Sequence, residues 1–290
     1  MTTRVTGEPA YVLHHYDWSE SSVIVEAFTR HYGRVALAAR GAKKPSSNFR
    51  PVLLPMQALL LAWSGDAEVR NLKGAEWGGG PVMPAGARGG DALLAGYYAN
   101  ELLLRLLARD DPHPRLFDGY THLIQALAEP WRGDQPAAGP ADDGARIRAE
   151  RNRAAALRAF ELLLLREAGL LPALDAATLT LAPLTAGAPY RLSPEGGLLA
   201  CDGLTEEMPA LPGACWLALE QALTDAAPFA ALLAVIEPWA PRERAQLRQL
   251  LRAWLDIHGG SHALKTRQLL HDLRGLFTRP RASGTQSEPT

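Results

Sequence analysis

Cysteine is nearly absent. Two thiols, Cys201 and Cys215, stand fourteen positions apart in a chain of 290 residues, too sparse for a disulfide framework, and free thiols are expected. Long apolar runs are missing too. No stretch reaches the ~18 residues that a membrane-crossing helix needs, and Met1 to Tyr16 lacks the apolar core of a secretory signal. The expected setting is therefore the cytoplasm, with no membrane partner. Neither sign of charge dominates: 30 Lys and Arg against 31 Asp and Glu give a formal charge of −1. That balance excludes a polybasic protein coating nucleic acid over its whole surface, but it allows one basic face offset by acids elsewhere.

Catalytic signatures are also lacking. The chain has no G-x-x-x-x-G-K-[ST] loop, no G-x-G-x-x-G after a strand and no G-x-S-x-G elbow. His258 and His262 stand four apart, but Gly259 and Gly260 would break the helix that a shared metal requires. No enzyme, cofactor or metal is expected.

One further absence is local. Acids vanish between Glu26 and Asp66, and the segment GRVALAARGAKKPSSNFRPVLLP (33–55) gathers Arg34, Arg40, Lys43, Lys44 and Arg50. Read as a strand, GRVALAARG puts Val35, Leu37 and Ala39 on one face, with Arg34, Ala36, Ala38 and Arg40 on the other. The following loop adds Ser46, Ser47 and Asn48 as neutral donors and Phe49 as a stacking ring. Fixed cations, neutral donors and an aromatic plane suit nucleic-acid phosphates and unpaired bases. The bland alternative is a solvated turn whose lysines protect a sheet edge.

The surrounding grammar is β-like up to about Glu76. YVLHH, SVIVEAFT, GRVALAAR, QALLLAW and EVRNLKGAE form five short runs, which predict a small closed barrel. After the Gly/Pro-rich break at 78–90 the periodicity becomes helical. Helices are expected over 91–109, with Asp91 as N-cap, and over 114–129, 145–168, 215–226, 228–236, 241–257 and 262–277. An irregular region at 170–212 contains YRLSPEGGLLA, which reads as a hairpin. The polar insertion at 134–145 and the tail at 279–290 are expected to lack order. The implied organisation is a barrel domain at 1–80 and a helical domain at 91–278.

A second basic concentration lies near the C terminus and includes Lys265, Arg267 and Arg274; Arg244, Arg248 and Arg252 follow a four-residue spacing along a helix. A solvated helix face explains such a row without a ligand. In the helix at 91–109, Tyr97, Asn100, Leu103 and Leu104 form a candidate groove for a partner's apolar peptide terminus, although such rings more often pack in a core.

Taken in order, these pieces resemble the bacterial RecO family. YVLHHYDWSESSVIVEAFTRHYGRVALAARGAKK resembles its opening, with a W-S-E-[ST]-S turn followed by F-T...G-R-V...A-[KR]-G. ANELLLRLL resembles its N-E-L-L helix, LRAFELLLLREAGLLP its R-x-F-E...L...G helix, and LKTRQLL its L-K-[ST]-R-x-L. The resemblance implies an N-terminal OB-fold five-stranded β-barrel followed by a mainly α-helical domain. It implies a nucleoid-associated mediator of recombination and repair of DNA damage in the RecFOR pathway. Such proteins bind single- and double-stranded DNA, anneal complementary strands, engage the C-terminal tail of single-strand-binding protein and pair with RecR to help load RecA. On this resemblance Arg34, Arg40, Lys43, Lys44, Arg50 and Lys73, joined by Lys265, Arg267 and Arg274, are the expected DNA contacts.

Two departures stand out. Many relatives carry a C-x-x-C...C-x-x-C zinc module within the helical domain, whereas Cys201 alone remains in that region, so the hairpin is expected to be held by packing. The isoelectric point of about 6.7 is low for a DNA-binding member and implies modest, salt-sensitive affinity. The competing readings are a protein-interaction adaptor with no direct DNA role and a nuclease, for which the clustered carboxylates of two-metal cleavage are missing.

Overall fold

The computed structural model describes residues 4–81, 83, 90–128, 143–201, 208–259 and 266. Five strands come first: β1 (Arg4–Asp17), β2 (Val23–Thr29), β3 (Gly33–Ala39), β4 (Ala58–Ser64) and β5 (Val69–Trp77). They close into a barrel in the order β1-β2-β3-β5-β4, antiparallel except where β3 runs parallel to β5. The five expected strands are all there. β1 is longer than its apolar run suggested, because it continues back through Gly7, whose φ of +67° falls at a register shift between Val5 and Glu8.

Alternation fills the barrel. Val12, Val25, Val35, Leu37, Leu59, Leu61 and Trp63 are buried inside it, because strand side chains alternate between the two faces. The expectation of an apolar and a basic face on β3 needs correction, since Ala36 and Ala38 are buried as well. Both faces of β3 are covered, and the second is covered by the rest of the chain.

Helices follow: α1 (Gly90–Leu106), α2 (Pro114–Ala128), α3 (Asp143–Glu167), α4 (Gly213–Thr224), α5 (Pro228–Ile236) and α6 (Pro241–His258). Asp91 lies in the first turn of α1 rather than at its cap, where its charge still suits the helix dipole. The run Leu162 to Leu165 is buried on every side, as expected of the central helix in a bundle. A three-stranded sheet, β7-β6-β8, combines the anticipated hairpin of β6 (Pro189–Ser193) and β7 (Gly197–Ala200) with β8 (Leu211–Pro212). Packing and hydrogen bonds hold it: Trp216 Nε1 donates to Tyr190 O at 3.1 Å, and the amide of Thr185 donates to the Tyr190 hydroxyl at 2.9 Å. The polar insertion lies outside the described residues up to 142, while 143–145 belong to α3; the C-terminal helix, apart from Thr266, and the tail also fall outside them.

Barrel and helices share one apolar core. Tyr11, Leu13, Phe28 and Met56 of the barrel belong to the same buried cluster as Tyr98, Leu102, Phe117, Tyr120 and Phe160. Tyr11 meets Tyr120 edge-on at 4.9 Å, and both Tyr11 and Phe28 lie 5.5 Å from Phe117. Such pairs contribute about 0.5–1.5 kcal/mol each beyond area burial. Close approach needs glycine at two points. A Cβ on Gly96 would lie 1.9 Å from the Met56 sulfur, and one on Gly33 would lie 2.1 Å from Asp111 O.

Candidate nucleic-acid interface

The acid-free segment places its bases in two different environments. Arg34, on β3, turns toward the helical lobe, where its Nη1 donates to Leu104 O at 2.9 Å and lies 3.9 Å from Glu26 Oε2. Glu26 is almost wholly buried, and its other oxygen accepts a short hydrogen bond from Arg109, which also bonds Glu68. Two guanidinium groups thus neutralise one buried carboxylate, which alone would be costly to desolvate. The hydrogen bond to Glu26 is the first cause of the raised Arg109 pKa, opposed by burial. Arg34 is therefore held by partners at the junction of barrel and helices, unlike the open cation expected of a phosphate contact.

Four other bases face water. Arg40, Lys44, Arg50 and Lys73 are exposed, and none of the four has an ion-pair partner among the described residues. Three of them lie on the loop after β3. Lys73 joins them through sheet register: Ala38 of β3 pairs with Asn71 of β5, and the parallel strands lead on to Arg40 and Lys73 at the same end of the barrel. Lys43 is intermediate, because its Nζ contacts Asp17 Oδ1 at 2.9 Å and Ser19 O at 3.0 Å. That pair is solvent-facing and worth little energy, but it fastens the loop to the β1–β2 turn.

Phe49 is partly buried rather than open as the expected stacking ring. It packs with Val52 against the barrel core, beside buried Leu53, because an apolar ring beside an open barrel end gains more from covering it than from facing water. The loop's aromatic therefore anchors its cations.

On α1 the four residues of the candidate groove do not form one. Asn100 and Leu103 are buried, Leu104 is partly buried against the core and Tyr97 is exposed. Asn100 bridges the lobes: its Nδ2 donates to Leu13 O at 3.0 Å, and its Oδ1 accepts from the Tyr120 hydroxyl. The reason lies in β1, where a register shift between Val12 and His14 leaves Leu13 without a strand partner. Glu101, the next residue, accepts from the amide and hydroxyl of Thr266 at 3.0 and 2.6 Å. Two sequence segments of the family resemblance thus meet. Lys265, Arg267 and Arg274 lie outside the described residues.

The helical lobe has a concave site of its own. A cleft of about 340 Å³ between α2 and α5 is lined by Arg115, Thr121, His122 and Phe229 among others, with the His122 and Phe229 rings stacked 5.8 Å apart. Sequence spacing gave no sign of it, since its walls lie far apart in the chain. The aromatic residues Tyr16 and Trp18, exposed beside the Lys43 anchor, were also missed; the W-S-E-S-S motif was the available signal. Among the described residues no group of three His, Cys, Asp or Glu side chains converges as metal ligands, and no helix is long and apolar enough to cross a membrane.

A closed five-stranded barrel of this strand order, with cations at one end and a helical lobe packed on its side, defines an OB-fold protein. A family profile described as "Recombination protein O N terminal" matches residues 1–80, and one described as "Recombination protein O C terminal" matches residues 88–138. The chain is 57% identical to the DNA repair protein RecO of Variovorax paradoxus over 274 residues, covering 94% of this chain and 98% of that protein. It is 54% identical to the DNA repair protein RecO of a Polaromonas species, covering 95% and 99%, and 52% identical to that of Albidiferax ferrireducens, covering 95% and 98%. The chain belongs to the RecO family, and its general role is in recombinational DNA repair.

Proposed function

We infer that the protein is a non-enzymatic mediator that holds single- and double-stranded DNA on the cationic end of its barrel, anneals complementary strands and helps load RecA. The observation that carries this reading is the placement of Arg40, Lys44, Arg50 and Lys73 on one barrel end without acidic partners among the described residues. Such cations neutralise phosphates and displace counterions, so two like-charged strands can approach without nucleotide hydrolysis. Four contacts give a log–log salt slope of about −3 on single strands. Fluorescence anisotropy of a labelled oligonucleotide at several salt concentrations tests it. The Arg40→Ala/Lys44→Ala/Arg50→Ala variant should flatten the slope by about 2, and an unchanged slope would reject this surface. An annealing assay on DNA coated with single-strand-binding protein separates the mediator from a protein-only adaptor.

RecR and the tail of single-strand-binding protein are the proposed partners. For the tail, the α2–α5 cleft fits better than the α1 surface, because Asn100 and Leu103 are buried whereas the cleft is concave and carries Arg115, which is half-exposed while donating to Leu223 O and Asp225 O and lying 3.8 Å from Glu167. An apolar peptide ending in a free carboxylate suits that combination. Calorimetry with the tail peptide should show weakened binding for His122→Asp and unchanged binding for Tyr97→Ala; the opposite pattern would return the site to α1.

A further inference from the structure

The end of β1 and the turn after it expose two large rings that the barrel core does not use. Tyr16 is 48% and Trp18 51% exposed, whereas Trp63 inside the barrel is 1% exposed. Scattered exposed apolar groups are ordinary, so exposure alone decides nothing. Three features of their setting do.

The first is spacing. His14 and Tyr16 occupy alternate positions of β1 and so share a side, their rings meeting edge-on at 4.6 Å; Trp18 follows directly after Asp17, the last residue of the strand. The second is anchorage. The amides of Trp18 and Ser19 donate to Ser22 O at 3.2 and 3.3 Å, and the Lys43 amide donates to Ser21 O at 3.0 Å. Gly41 N donates to Ser22 Oγ at 3.3 Å, and Lys43 Nζ donates to Ser19 O at 3.0 Å. The ring-bearing turn is thus fastened to the start of the cationic loop. The third is charge. Arg40 and Lys44, flanking the anchor, are exposed without acidic partners among the described residues, while the acids of the turn, Asp17 and Glu20, disfavour phosphate there. Bases rather than backbone are what can rest on the turn.

We propose that Trp18 and Tyr16 form a stacking platform that selects unpaired bases at the cationic barrel end. This rests on the reading of that end as a DNA surface and adds a strand preference to it. Exposed ring faces beside the cations can receive bases that are out of their stack. A duplex keeps its base faces covered, so it meets the cations but not the rings. The loop cations set affinity for any strand, and the rings decide between single strand and duplex. In annealing, the substrate strand gains a contact that the duplex product loses, which favours release of the product.

The test uses the full-length protein with labelled oligothymidylate and a duplex of equal length, titrated by anisotropy over a range of salt. Trp18→Ala is expected to raise the Kd for oligothymidylate by about 5- to 150-fold, from the 1–3 kcal/mol per stacked base. The duplex Kd should move less than about twofold and the salt slope should stay the same, because no phosphate contact is removed. Trp18→Phe keeps a ring and should restore most of the lost affinity, and Tyr16→Ala provides a second, independent loss. If Trp18→Ala and Tyr16→Ala leave oligothymidylate binding unchanged while Lys44→Ala/Arg50→Ala flattens the slope, the platform is wrong and the cationic surface stands. Equal weakening for both oligonucleotides overturns the strand preference. If the loop variants leave the slope unchanged as well, the DNA reading of the barrel falls and the platform with it.

Discussion

Replacing Arg34 by alanine separates a structural cation from a DNA-binding one. Its side chain is only 17% exposed; its guanidinium donates to Leu104 O at 2.9 Å and shares buried Glu26 with Arg109. A hydrogen bond from a charged donor is worth about 1.5–3 kcal/mol. Its removal leaves the Leu104 carbonyl without that donor and Glu26 with Arg109 as its remaining cation. We expect a loss of about 2–3 kcal/mol, and at roughly 2–4 °C per kcal/mol for a protein of this size the Tm should fall by roughly 4–12 °C. The DNA salt slope should not change. Arg50→Ala, on the exposed loop, should do the reverse: stability within about 0.5 kcal/mol and a slope shallower by about 0.7–0.9. Urea denaturation and salt-dependent anisotropy on the same preparations provide both readings. If Arg34→Ala leaves the Tm unchanged and flattens the slope, the division of the acid-free segment into structural and DNA-facing bases is wrong.

Other outcomes follow from the junction of the lobes. Asn100→Ala strips the bridge between Leu13 O and the Tyr120 hydroxyl; leaving two buried polar groups unpaired should cost about 2–5 kcal/mol, seen as a lower urea midpoint with the tail-peptide affinity unchanged. Burial raises the pKa of Tyr11, partly offset by its hydrogen bond with Thr121, and holds Tyr120 well above the ordinary value. Folding thus favours the neutral phenols, a stabilisation that is full below about pH 10 and is lost as pH rises through the folded-state pKa values. Absorbance of tyrosinate should accordingly show two of the seven tyrosines ionising only as the protein unfolds. The Cys215 thiol is raised by burial, with Glu243 adding to the shift. In a Cys201→Ser background its alkylation at pH 8 should be slow and should accelerate on unfolding; fast labelling in the folded protein would contradict the packing of α4.

Much of the fold was legible because it is written in local periodicity. Short runs of β-branched, aromatic or alternating apolar residues marked the barrel strands, and Leu162 to Leu165 with their neighbours marked the central helix. Asp91 was misplaced by one turn position, since helix ends depend on backbone partners that the periodicity does not encode. Site residues were harder. Arg34 and Arg40 look alike in sequence, on the same side of one strand, yet one meets Glu26 and the other water. Asn100 and Tyr97, three apart on α1, were read as one surface, but a bulge in β1 draws Asn100 into the junction.

The sequence alone determined the class of architecture, the change from strands to helices after residue 80, the family, and the concentration of positive charge after β3. Those are consequences of short-range pattern, which sterics and side-chain polarity fix within a few residues. Only the tertiary structure decided which of those charges remain available. Glu26 lies 83 residues from Arg109, and Leu13 lies 87 from Asn100, and no local pattern encodes which distant partner will neutralise a charge or take up a carbonyl. A cation's role is set by whether folding brings a carboxylate to it or leaves it in water, because that difference decides whether it can still exchange its counterions for phosphate.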